Sequence, residues 1–198
     1  MTQKRVAVLI SGRGSNMRAL VEAARRPGYP ASITCVISNR PDAAGLQFAS
    51  GIGIPTEVVD HRAFSSREEF DQALHRTLLA YAVDLVCCAG FMRILTPGLL
   101  ERWHGRMLNI HPSLLPAYKG TRTHERALAD RVKVHGATVH FVTAELDSGP
   151  VIAQVAVPVL PDDTPASLAA RVLAAEHPLY VKALELVASG RTQMKASA

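Results

Sequence analysis

A chain of 198 residues, 48% hydrophobic and 20% charged, is sized for one globular domain that buries about 70% of its unfolded surface. Its net charge of +5 comes from scattered lysines and arginines with no basic block or interleaved aromatic series, which argues against a nucleic-acid partner and suits a small anionic substrate. Cys35 and the adjacent pair Cys87 and Cys88 match neither a disulfide framework nor a metal-ligand spacing, no run approaches a membrane span, and the first residues lead into a strand without a signal pattern, so a soluble cytoplasmic protein with core cysteines and no metal is expected.

Residues 5–11 form an apolar run without alternation, as a parallel strand covered on both faces requires. Gly12-Arg13-Gly14-Ser15-Asn16 follows directly, and Met17, Leu20, Val21 and Ala24 then recur at helical spacing, so a glycine turn opens a helix whose free amides favour an anion. A dinucleotide fingerprint needs a third glycine and an acid closing the second strand, and a triphosphate loop needs a lysine; none of these is present. Two readings remain: one phosphate held by Gly14, Ser15 and Asn16, or a tight turn with Ser15 as N-cap.

Strands over 32–37 and 56–59 with a short helix over 43–50 between them give βαβαβ order. Ser65 or Ser66 can form a capping box before a helix carrying Phe70, Leu74, Leu78 and Tyr81, and Arg67 in its first turn is either a ligand contact or an exposed cation. Residues 84–90 read as a buried strand ending in an apolar loop, Phe91-Met92-Arg93-Ile94-Leu95, suited to the wall of a pocket for a flat heterocycle, before Thr96-Pro97 opens a helix.

Met107-Leu108-Asn109-Ile110-His111-Pro112 is the stretch richest in chemistry. As a short strand it puts Asn109 and His111 on one face at the carboxyl end, where ligands bind in open α/β sheets; the bland alternative is a turn cap and a core histidine. A helix carrying His124, Ala127 and Leu128 follows, then an alternating strand over 134–143 with Thr138 and His140 on one face. The loop Ala144-Glu145-Leu146-Asp147-Ser148-Gly149-Pro150 isolates Asp147 among turn residues, where an Asx-turn is the simpler account. In a strand over 151–159 Pro158 points to an edge or a strand end, and Thr164-Pro165 opens the last helix. Glu176 interrupts that helix's apolar stripe and needs a partner, with Pro178 a candidate kink beside it. The expected division is one domain over 1–189 and a frayed tail over 190–198.

Four of these segments in this order, 10–16, 89–95, 109–116 and 140–150, resemble the glycinamide ribonucleotide formyltransferases, the folate-dependent formyl transferases of purine synthesis, over nearly the whole length. The resemblance implies a Rossmann-like, largely parallel sheet flanked by helices on both sides, and formyl transfer from 10-formyltetrahydrofolate, as co-substrate, to the amine of glycinamide ribonucleotide. It implies that Asn109, His111 and Asp147 are catalytic and that Gly14, Ser15, Asn16 and Glu176 bind the nucleotide. It also implies folate contacts at Arg67, Met92, Arg93, Ile94, Leu95, Asn109, Thr143, Ala144, Glu145, Leu146 and Asp147. Arg122 departs from the pattern, since some members carry a histidine there, which puts in doubt a second histidine in proton handling. No metal, nucleic acid or membrane is implied, and a homodimer is left open. A formyltetrahydrofolate deformylase would share the catalytic stretch but carries an extra domain ahead of the first strand, whereas Val6 already lies in it here. Methionyl-tRNA formyltransferase would add a carboxyl-terminal RNA-binding domain, and a non-catalytic nucleotide-binding domain would not need Asn109, His111 and Asp147 together.

Overall fold

The computed structural model describes residues 2–194. Among them seven strands form one sheet in the order β3-β2-β1-β4-β5-β6-β7: β1 Lys4–Ile10, β2 Ala31–Ser38, β3 Thr56–Val58, β4 Leu85–Cys88, β5 Met107–His111, β6 Val134–Phe141 and β7 Val151–Pro158. The first five run parallel, and β6 and β7 are antiparallel to their neighbours.

Strand periodicity assigns the layers. Val6, Val8 and Ile10 of β1 point to one face, where Met17 and Leu20 of α1 (Ser15–Ala24) and Tyr180 and Leu184 of α6 (Pro165–Ala188) cover them. Ala7 and Leu9 point to the other, against Phe70, Leu74 and Leu78 of α3 (Arg67–Ala80) and Leu99 and Leu100 of α4 (Pro97–Arg102). The unbroken apolar run of β1 therefore serves two cores at once, as a strand covered on both faces must. All three cysteines are buried within these layers. Two short helices, α2 (Ala44–Gly51) and α5 (Thr123–Ala129), and a 3-10 turn over His61–Ala63 complete the elements of the described residues.

The local signals act where expected. Ser66 accepts from the Glu69 amide and Thr96 from the Leu99 amide, each at a helix start, and Thr164 forms a capping box with Ser167. Pro158 ends the edge strand β7, and α6 runs as one element through Pro178. The described residues after α6 make defined contacts. Gly190, at φ 75°, donates to the Val187 carbonyl, the Thr192 amide donates to Leu186, and Met194 packs on the core, so residues 190–194 fold back onto α6. Residues 195–198, assigned to the expected frayed tail, lie outside the described residues. Among those described, no helix is long and apolar enough to cross a membrane.

Order 3-2-1-4 means that the chain leaves β1 toward one side and later returns to β4 on the other. The loops after β1 and β4 thus diverge from neighbouring strands and open a crevice at the carboxyl edge.

Candidate active site

That crevice is a cleft of about 850 Å³, lined by the turn 12–16 after β1, the loop 89–95 after β4, the end of β5, the segment 120–125, His140, the loop around Asp147, and Glu176 from α6. Elements distant in sequence meet here because every parallel strand delivers its following loop to the same edge of the sheet.

At the turn, Gly14 has φ 73° and ψ 34° and stands as N-cap of α1 with no side-chain cap, which excludes Ser15 as the cap. A Cβ on Gly14 would lie 2.8 Å from Met17 Cε and 3.2 Å from Gly45 Cα, so only glycine fits both the backbone and the space. No acid occupies the first turn of α1, and its leading amides face the cleft without a cap, a favourable site for an anion. Arg13 is an exposed cation lining the cleft beside them, which sequence reasoning passed over. The Asn16 side-chain Nδ2 donates to Glu176 Oε2 at 2.6 Å, so one amide hydrogen is spent on that carboxylate, while its second hydrogen and the backbone N–H are not spent there. This bond also supplies the partner that Glu176 required in its apolar stripe. Burial raises the Glu176 carboxyl above its ordinary range, and the Asn16 bond opposes that rise.

At the centre, β5 places Asn109 and His111 on one face, and the antiparallel register sets His140 directly opposite Asn109. His140 Nδ1 lies 2.9 Å from the Phe141 carbonyl, which can only accept, so Nδ1 carries the hydrogen and Nε2 is left as an acceptor. Asn109 Nδ2 lies 3.2 Å from that nitrogen and donates to it, which fixes the orientation of the amide. Asp147 Oδ1 is 3.8 Å from the same Nε2, but this is no ion pair, because burial pushes the His140 imidazole below its usual range and keeps it neutral.

Asp147 Oδ2 accepts from the Gly120 amide at 2.8 Å and lies 3.4 Å from His111 Nδ1. Its hydrogen bond spans from one loop to another, so the Asx-turn account does not hold. His111 is buried, and its Nε2 meets the Tyr118 carbonyl at 2.9 Å. Both His111 nitrogens thus face oxygen atoms. Arg122 lines the cleft at the start of α5, and the second imidazole beside Asp147 comes from β6 as His140. Among the described residues, no group of three or more His, Cys, Asp or Glu side chains could hold a metal ion.

The opposite wall is apolar. Met92, Ile94 and Leu146 are exposed on its rim, and Leu95, Thr143 and Ala144 line it further along. Arg93 reaches back over the Phe70 ring of α3, 5.5 Å from its centroid. Two residues of the expected folate set do not line this cleft. Arg67 is exposed at the start of α3 and does not line the cleft, and Glu145 points outward to Lys119 Nζ, 3.2 Å away, beside a smaller depression. In both cases a long charged side chain follows its ion partner or solvent, and sequence position alone does not specify which.

The sequence matches the model of the family described as formyl transferase over residues 4–184. It is 45% identical to the phosphoribosylglycinamide formyltransferase of Escherichia coli, covering 98% of this chain and 91% of that one. It is 52% identical to the human trifunctional purine biosynthetic protein adenosine-3 over 190 residues, and spans only 19% of that relative's length. Among solved structures, the phosphoribosylglycinamide formyltransferase of Coxiella burnetii superposes with a TM-score of 0.93 at 44% identity, covering 98% of this chain and 91% of that one. The Brucella melitensis enzyme of the same name gives 0.91 at 48% identity, with both chains covered in full.

Proposed function

The chain belongs to the formyl transferase family, among the phosphoribosylglycinamide formyltransferases, and from that premise we propose that it transfers the formyl group of 10-formyltetrahydrofolate to the amine of glycinamide ribonucleotide. The observation that carries this reading is the assembly of Asn109, His111 and Asp147 between an uncapped glycine turn and an apolar wall. The turn 12–16 takes the phosphate through backbone amides, Glu176 binds the ribose, and the loops 92–95 and 143–147 line the folate side. The work is done in the cytoplasm on small molecules.

Attack of the amine on the formyl carbon creates an oxyanion and a cationic nitrogen, so the site needs a hydrogen-bond donor for one and a proton path for the other. Asn109 supplies the donor: one amide hydrogen is spent on His140, and the second is free to point at the developing oxygen. His111 contributes through its pairing with Asp147, and meets the formyl oxygen once the Tyr118 carbonyl gives up Nε2. Asp147, between two imidazoles, takes the proton from the attacking nitrogen and passes it toward the leaving folate nitrogen, in line with general acid–base catalysis.

Purified protein incubated with 10-formyltetrahydrofolate should release tetrahydrofolate only when glycinamide ribonucleotide is present. Equal release without the nucleotide would make it a deformylase, and no release in either case a binding domain.

Gly14→Val tests the anion turn separately. A β-branched residue at φ 73° is strained and meets Met17, so calorimetry should show glycinamide ribonucleotide binding weakened by about tenfold or more with folate binding nearly intact. Equal loss of both ligands would mean that the turn holds the fold and not the phosphate.

A further inference from the structure

The cleft forms where the chain diverges, and the strand ladder ends just below it. The Ala89 amide donates to Leu9 and the Ser11 amide to Gly90, after which the two loops part. One side chain bridges the gap beyond that point. The Met92 amide, the first backbone donor of the apolar wall, gives its hydrogen to Ser11 Oγ at 2.8 Å. Ser11 Oγ passes its own hydrogen to Asn39 Oδ1 at 2.6 Å, and Asn39 lies within 3.2 Å of His61 Nδ1. Ser11 and Asn39 are 7% and 2% exposed, so water cannot replace either partner cheaply.

The geometry points to Ser11 and Asn39 as a positioning relay that sets the folate wall relative to the phosphate turn. The inference rests on the proposed folate side of the cleft and concerns residues that touch neither substrate. Its physical basis is the direction of the chain of donors. Asn39, held at the end of β2, accepts from the serine hydroxyl and thereby fixes the hydroxyl rotor. The oxygen's lone pairs then face the Met92 amide, and the residues that follow line the cleft. Loop 89–95 has only a short strand and one short helix as neighbours in sequence, so without this bond it is tethered by the Ser11 amide's bond to the Gly90 carbonyl, by the stack of Phe91 on Phe70 and by Asp71, which accepts from the Thr96 amide at 2.6 Å. Ser11 stands immediately before Gly12, whose carbonyl accepts from the Gly45 amide, so the same residue belongs to the root of both ligand loops.

Ser11→Ala, Asn39→Ala and the double variant decide the matter. Removing the hydroxyl leaves the Met92 amide without its protein acceptor and the buried Asn39 amide oxygen unpaired, and calorimetry with 10-formyltetrahydrofolate alone should show a dissociation constant raised by about tenfold in each single variant. In turnover the loss should appear in KM for the folate more than in kcat, with KM for glycinamide ribonucleotide changed by less than about twofold, and the double variant should be scarcely worse than either single one, because both act on one bond chain. Amide exchange by NMR in Ser11→Ala should show protection lost at Met92 and kept at Ala89, whose bond to Leu9 is untouched. Unchanged folate affinity, or equal weakening of both ligands, would overturn the relay; if Ser11→Ala does not fold, Asn39→Ala carries the same binding and exchange tests. Native protein that does not bind 10-formyltetrahydrofolate would instead sink the folate reading, and protection at Met92 that is unaffected in both variants would sink the relay whatever the ligand.

Discussion

Asp147→Asn should fold, bind both substrates and lose at least about a hundredfold in turnover. Asparagine tolerates the left-handed backbone at φ 50° as well as aspartate does, and its side-chain oxygen can still accept the 2.8 Å bond from the Gly120 amide that ties loop 143–147 to the segment before α5. What the amide cannot do is take a proton or support charge on His111, 3.4 Å away. Structure and proton transfer are therefore separated by one atom. Calorimetry for both ligands and single-turnover kinetics on the same preparation give the comparison. An Asp147→Asn enzyme with near-native turnover would reduce Asp147 to a clamp for Gly120.

Asn109→Ala should cost about a hundredfold to a thousandfold in kcat with little change in either KM, the usual loss when one oxyanion donor is removed. The His140 contact makes a sharper form of this prediction. His140 is neutral, with its hydrogen on Nδ1, and its Nε2 orients the Asn109 amide across the β5–β6 pair. If orientation is its whole contribution, His140→Ala lowers kcat in the native background and hardly at all once Asn109 is already alanine. A double-mutant cycle in kcat measures this coupling. Additive losses would show that His140 acts on the reaction independently, through Asp147 or through the substrate, and a mild Asn109→Ala phenotype would remove the amide from the oxyanion site.

Much of this protein was legible one residue at a time. The unalternating run of β1, the glycine turn before α1, the Thr96-Pro97 and Thr164-Pro165 helix starts and the pairing of Asn109 with His111 on one strand face all follow from short-range geometry, and all stand in the structure. These features depend on the backbone's own sterics and on side-chain period, which act over a few residues. What the tertiary structure decided is which polar groups meet. Asn16 and Glu176 are 160 residues apart, and their bond gives the buried carboxylate a partner that no local pattern could name. His140 was read only as sharing a strand face with Thr138; the antiparallel register put it opposite Asn109 and close to Asp147. The side chains of Arg67 and Glu145 stand outside the cleft lining, toward solvent and toward Lys119, an orientation that sequence position does not specify. A hydrogen bond constrains two groups in space irrespective of their separation along the chain, so local pattern announced the elements and the candidate groups, while the order of strands in the sheet settled their partners.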